Sequence, residues 1–165
     1  IGGILATAGL GILVAEADYE LAAANRDFAR NEGVVYGRQV TADGRRLWFI
    51  GEFGFRYYME QQGFTELPKD RPEVLRDGDL IVQSPLADPR PLSDEMAERV
   101  ELVETVGYRG ITPFRSISFK SRAGFYGHFW GILPFSLDFG NIEEYMVYRV
   151  VAAHEIEHDE LQDNQ

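Results

Sequence analysis

From Ile1 to Ala15 (IGGILATAGLGILVA) the chain carries no charged residue, and from Glu16 onward charges recur every few positions. A helix over that run covers about 22 Å, short of the roughly 30 Å of a hydrocarbon core, so it reads as a truncated transmembrane span. A buried core helix is the alternative, but Gly2, Gly3, Gly9 and Gly11 would each cost about 1 kcal/mol in a soluble helix, whereas Gly is commoner in membrane helices. Ala15-Glu16-Ala17 has the form of a signal-peptide cleavage site. No basic residue precedes the apolar run, however, and an uncleaved anchor is the better reading. The near flank holds Glu16, Asp18 and Glu20 ahead of Arg26 and Arg30. Basic flanks mark the cytoplasmic side, so the adjoining domain is expected to face outward. Leu21, Ala24 and Phe28, at i, i+3 and i+7, carry the same helix out of the membrane. The expected division is 1–31 for this anchor and its juxtamembrane continuation, 32–153 for an extramembrane domain, and 154–165 for an acidic tail.

Beyond the anchor the chain is long enough for one domain and rich enough to fill it, with 165 residues in all, 45% of them apolar and 13% aromatic. Sixteen basic against 27 acidic residues give a net charge of −11. Such a surface repels phosphate backbones, and nucleic acid is excluded as the main partner. Zero Cys removes disulfides, thiol nucleophiles and Cys-based metal sites, and fits a bacterial envelope as well as a cytosol.

The period changes at Gly33. VVYGRQVT (34–41) is a strand candidate, Ala42-Asp43-Gly44 is turn chemistry, and LWFI (47–50) is a buried-strand run. FGFRYYMEQQ (53–62) reads as a helix that Gly63 stops at C′, with Phe55, Tyr58 and Met59 on one face. Asp77-Gly78 is a turn before a second buried strand, DLIVQ (79–83), which completes a β-α-β crossover. Ser93 caps a short helix holding Met96, with Glu95 and Glu98 facing water. Val100, Leu102 and Val106 open a third strand, FRSISF (114–119) alternates, and YMVYRVV (145–151) makes the last strand. The expected fold is therefore α/β, a single small domain with a mixed sheet flanked by helices and preceded by an N-terminal membrane-anchoring helix, antiparallel towards its C-terminal end.

His154-Glu155-Ile156-Glu157-His158 matches H-E-x-x-H, in which two His one helical turn apart ligate zinc. It lies in an acidic tail with no third ligand, and an inert, solvated segment is expected. Gly51-Glu52-Phe53-Gly54 occupies a strand-to-helix turn. Glu52 would repel an anion there, so the turn is read as structural. Trp48, Phe49, Phe53, Phe55, Tyr57 and Tyr58 are assigned mainly to the core rather than to a sugar-stacking platform. His128, the one His of the folded body, is read as structural, and Glu143-Glu144 as a solvated strand entrance. The Gly-, Pro- and aromatic-rich segment 123–135 is long for a connection. It is expected to be ordered, packed in part beneath the sheet and exposed in part, with Phe125, Tyr126, Phe129, Trp130 and Phe135 as candidate contact residues.

Several segments, in order, resemble the C-terminal extramembrane region of bacterial family-39-type membrane glycosyltransferases, the polyprenyl-phosphate-dependent enzymes of the protein mannosyltransferase and aminoarabinose-transferase superfamily. ADYELAAANRDFA is similar to the helix leaving the membrane. RLWFIGEFGFRYYMEQQG is similar to the strand and G-H-W-G-F-Q-Y-Y-M-E pattern of that group, at Gly51, Gly54, Phe55, Tyr57, Tyr58, Met59 and Glu60. GDLIV at 78–82, AGFYGHFWGILPFS at 123–136 and EEYMVYRV at 143–150 complete the likeness, which spans 17–151. Glu52 and Phe53 stand where the group has His and Trp. The resemblance implies a parent that transfers sugar from a lipid-linked donor, with its acidic catalytic residue in a loop this chain lacks. The chain alone is thus expected to be inactive, with no catalytic, cofactor-binding or metal residues, capping the site or positioning acceptor at the periplasmic or outer face of the bacterial inner membrane. Its expected partners are membrane lipid, through residues 1–15, and the remainder of the transferase or another membrane protein. The alternative is a single-pass accessory subunit of a membrane complex, derived from such a domain.

Overall fold

The computed structural model describes residues 2–68, 71–88 and 91–152. Helix α1 (Gly2–Phe28) passes through a π-helical turn (Ala29–Gly33) into α2 (Val34–Ala42) without leaving helical geometry. Strand β1 (Leu47–Ile50), helix α3 (Phe53–Gln61), strand β2 (Thr65–Glu66), a 3₁₀ turn (Pro72–Val74), strand β3 (Leu80–Gln83) and helix α4 (Asp94–Ala97) come next. The long strands β4 (Val100–Arg109) and β9 (Asn141–Val150) bracket four two-residue strands: β5 (Phe114–Arg115), β6 (Ile117–Ser118), β7 (Ala123–Gly124) and β8 (Ser136–Leu137).

The main sheet runs β2-β1-β3-β9-β4. β1 is parallel to β2 and β3, while β9 is antiparallel to both β3 and β4. This is the mixed α/β sheet that the strand and helix patterns imply. The period of two places alternate side chains in two cores. Leu47, Phe49, Leu80, Val82, Tyr145 and Val147 meet Phe28, Phe55 and Met59 under the helices, while Trp48, Ile81 and Val150 meet Leu67, Leu75 and Met96 on the other face. Tyr145 centres the first core, stacked on Phe28 at 4.1 Å and on Phe55 at 5.4 Å, with its hydroxyl donating to Asn25 Oδ1 at 2.7 Å.

Helix ends obey the turn chemistry. Gly44 (φ +69°) and Gly63 (φ +81°) sit at C′, where each takes the left-handed conformation that closes a Schellman motif. The bonds are Gly44 N to Thr41 O with Arg45 N to Val40 O, and Gly63 N to Glu60 O with Phe64 N to Met59 O. Ser93 Oγ accepts the Met96 amide and starts α4 as expected.

Two expectations are corrected. Residues 34–41 form helix α2, not a strand. Ala29, Gly33, Gly37 and Val40 recur at helical spacing and turn inward, and a Cβ on Gly37 would lie 2.5 Å from the Phe64 ring. Close packing on bare backbone outweighs the β-branched propensity of Val34, Val35 and Val40. The second correction concerns the membrane-anchoring helix: no helix among the described residues is long and apolar enough to cross a membrane. The first half of α1 is instead an apolar arm. Ile4, Leu5, Ile12 and Leu13 are exposed, and no atom lies within 4 Å of a Cβ built on Gly2, Gly3, Gly9 or Gly11. The arm does not pack on the sheet as a core helix would.

Candidate functional site

The second half of α1 lies along β9, and its inward face spells Asp18, Leu21, Asn25, Phe28 at helical spacing. Between that face, the N-terminus of α3, the turn after β3 and the loop after β7 lies an apolar cleft of about 500 Å³. Leu21, Ala22, Leu86, Ala87 and Ile117 supply apolar wall, Phe53, Tyr126 and Trp130 supply rings, and Asp18, Asn25 and Glu143 supply the polar atoms. The volume lies inside the range of about 300–1,000 Å³ usual for small-molecule sites.

Glu143 is the residue that sequence reading missed. Rather than a solvated entrance, it is only 3% exposed. Its Oε2 accepts from Ser84 Oγ at 2.9 Å, its Oε1 accepts from the Glu144 amide at 3.0 Å, and the Leu86 amide also bonds it. Burial pushes its carboxyl up to about 7, against the three hydrogen bonds that favour the ionised form. Glu144, its neighbour, is exposed as expected. A signal was present: Glu143, Tyr145 and Val147 share one strand face, and the latter two are core residues.

Asp18 is half-buried on the facing helix. It accepts from Ser116 Oγ at 2.8 Å and from the Tyr126 hydroxyl, and this contact raises the Tyr126 phenol to about 12. Two residues on, Glu20 is buried and fastens the other end of the same loop system. Its Oε1 accepts the Ile111 and Thr112 amides at 2.9 and 2.8 Å, and its Oε2 lies 4.0 Å from Arg115 Nη1. The Arg115 guanidinium donates to the carbonyls of Thr112, Phe114 and Gly140, while desolvation holds its pKa down in spite of Glu20. The acidic flank of the apolar run is therefore a set of tertiary fasteners.

Phe53 marks the mouth of the cleft. It opens α3 with φ +53° and is 75% exposed. That backbone region costs an ordinary side chain about 1–2 kcal/mol. The sharp turn is forced because the Phe55 ring folds back against Gly51, where a Cβ would lie 2.4 Å from Phe55 Cδ1. The G-E-F-G turn is thus structural. Arg56 clamps it by pairing with Glu52, Glu60 and Glu66. Of the six aromatics there, Trp48, Phe49 and Phe55 are core, Tyr58 is half-buried, and Phe53 and Tyr57 are exposed.

The segment 123–135 closes the cleft from one side. Ala123 is buried, and Trp130 is half-buried with its indole N–H on the Leu86 carbonyl at 3.0 Å. The other four candidate contact residues, Phe125, Tyr126, Phe129 and Phe135, are exposed, with Ile132 and Leu133 beside them. The loop packs against α1 and the turn after β3 rather than beneath the sheet. Its path is fixed by bare backbone, since a Cβ on Gly131 would lie 1.9 Å from the Arg122 carbonyl oxygen and one on Gly124 would lie 2.3 Å from the Gly131 oxygen. His128 is exposed and makes no part of the cleft.

No group of three or more His, Cys, Asp or Glu able to hold a metal ion converges among the described residues. The H-E-x-x-H segment lies outside them. No protein-family model, curated protein or solved structure matches the chain.

Proposed function

We propose that this chain is a non-catalytic domain that works at the outer face of a membrane, of the kind that forms the C-terminal part of lipid-linked-sugar glycosyltransferases, where it caps the reaction site or positions the acceptor. One observation carries the reading: the exposed apolar arm of α1 runs directly into the turn of helix that holds the exposed aromatic loop. Asp18 holds Tyr126 and Ser116, and the last large exposed apolar residue of the arm, Leu13, lies five residues earlier, about 8 Å along the helix. The arm therefore leads into the turn of helix bonded to the loop that carries Phe125, Phe129, Ile132 and Leu133, which are themselves exposed. An apolar patch of that extent on a chain of net charge −11 suits contact with lipid or a membrane protein better than contact with water. No helix among the described residues is long and apolar enough to cross a membrane, and in this reading the arm lies in the interface or packs on neighbouring helices.

Flotation with phosphatidylcholine vesicles tests it. The chain is expected to float, and Leu5→Ser with Leu13→Ser in the arm, or Phe129→Ser with Ile132→Ser in the loop, is expected to reduce the floated fraction several-fold without changing the circular dichroism. A chain that stays monomeric and does not associate with vesicles overturns the proposal. A photo-crosslinker at Phe129 in bacterial membranes then separates the two versions: adducts with a transferase support the capping role, and adducts only with other membrane proteins support the accessory-subunit alternative.

A further inference from the structure

The cleft has a chemistry of its own, apart from the membrane-facing end. Its lining holds two carboxyl groups, Asp18 and Glu143, and no Lys, Arg or His. Neither forms an ion pair among the described residues. Both are held in place by donors of the fold itself: Ser116 and Tyr126 on Asp18, and Ser84, Leu86 and Glu144 on Glu143. Phe53, Tyr126 and Trp130 offer ring faces around them, and a ring face attracts cations. A phosphate would meet like charge with no compensating donor cluster, and a purely apolar guest would bring no counter-charge to either carboxyl.

We propose that this cleft is a binding site for an organic monocation, an ammonium group carried on an apolar stem, with the charge between Asp18 and Glu143 and the stem along Leu21, Leu86 and Ile117. The source is a free alkylamine-type amphiphile or a lysine side chain of a polypeptide, and both present the same ammonium on a methylene stem. The charged and titratable groups around Glu143 set the conditions. Asp18 faces it from α1 and Tyr126 from the loop, Lys120 shares the adjoining cavity with Glu144, and Tyr145 comes next on its own strand. Asp88 ends the turn that carries Ser84, through its amide on the Ser84 carbonyl. Burial leaves Glu143 largely protonated at pH 6 and about half protonated at pH 7, and a bound cation ionises it. Uptake therefore releases a proton from the Glu143 carboxyl to solvent.

Calorimetric titration of the full chain with octylamine, octanol and octyl phosphate tests this. Octylamine remains protonated from pH 6 to pH 8, so its affinity is expected to rise about tenfold across that interval as ionising Glu143 ceases to oppose binding. At pH 6, titrations in buffers of different ionisation enthalpy should show roughly one proton released per octylamine bound. Glu143→Gln should abolish both the pH dependence and the proton release. Ala22→Phe, a change at an exposed α1 residue on the cleft wall, should weaken binding at least tenfold while leaving the melting temperature unchanged. A lysine-bearing apolar peptide that binds with the same pH dependence identifies the polypeptide source; its failure beside tight octylamine binding identifies the small amphiphile. Octanol or octyl phosphate binding as tightly as octylamine overturns the proposal. So does octylamine binding that neither substitution changes, or no binding at all. Vesicle flotation reads the membrane proposal separately: flotation without octylamine binding leaves that reading and removes this one, and the opposite result does the reverse.

Discussion

Replacing Glu143 by Gln tests the chemistry of the cleft through stability alone, with no ligand present. The carboxyl is 3% exposed and titrates near 7 in the fold against 4.5 for the free group, chiefly through burial. That displacement corresponds to roughly 3 kcal/mol between the two protonation states. Below pH 4.5 the group is protonated in both folded and unfolded chains, and the fold carries no penalty. As the pH rises, the unfolded chain loses its proton first, and the folded state is progressively disfavoured until its own carboxyl ionises near 7. Above that the penalty is complete. Gln keeps the neutral shape but brings an amide N–H₂ against one of the three donors at the site, a loss of about 1 kcal/mol. The variant should therefore be about 1 kcal/mol less stable than the parent at pH 4 and about 2 kcal/mol more stable at pH 8. Urea unfolding followed by circular dichroism at both values reads the crossing, and the other carboxylates cancel in the difference. A Gln variant less stable by the same amount at both pH values would refute the reasoning, because it would mean that Glu143 is already ionised and content in the fold.

Glu20→Ala should cost about 3–5 kcal/mol in urea unfolding, since it leaves the Ile111 and Thr112 amides without their acceptor and removes the carboxylate 4.0 Å from the buried Arg115 guanidinium. Trp130→Phe should cost only about 1 kcal/mol, the value of the lost bond to Leu86 O on a half-buried ring; a loss above 3 kcal/mol would make Trp130 a core residue. Phe53→Gly should leave the melting temperature unchanged or slightly raised, because relief of the positive φ offsets the lost ring, yet should weaken octylamine binding. Gly131→Ala forces a methyl into the Arg122 carbonyl, and it should expose the 123–135 loop to limited proteolysis that the parent resists.

The elements legible in the sequence are those whose signals are local. LWFI and DLIVQ pair as parallel neighbours, the helix between them stops at Gly63, and Ser93 caps α4. Helix α2 is not legible because its inward face is written in small residues. Ala29, Gly33 and Gly37 carry no hydrophobic bulk for a period to detect, and the partners of the two glycines, Met59 and Phe64, lie far along the chain. The cleft is half legible. The aromatic loop announces itself by composition, but the acids do not: Asp18 and Glu20 sit in what reads as a solvated flank, and their partners are about a hundred positions away in the chain. A carboxylate's burial is a tertiary fact, and only the period shared with Tyr145 and Val147 points to it.

The same helix supplies the arm and the cleft, and this ties the two proposals mechanically. Leu13 is exposed on the apolar arm, Asp18 and Leu21 line the cleft, Glu20 holds the loop after β4, and Phe28 stacks on the central Tyr145. These residues lie on one continuous helix, in which a turn spans 5.4 Å and backbone hydrogen bonds resist bending. A partner or bilayer that reorients the arm must therefore shift the Asp18 carboxylate relative to Glu143 on β9, or else break the Glu20 fastening. The Glu20 acceptors are charge-assisted and buried, so shifting the half-buried Asp18 wall is the easier response. Contact at the apolar end is thus expected to change the width of the cleft, with Tyr126 and Ser116 moving alongside Asp18 because both are bonded to it.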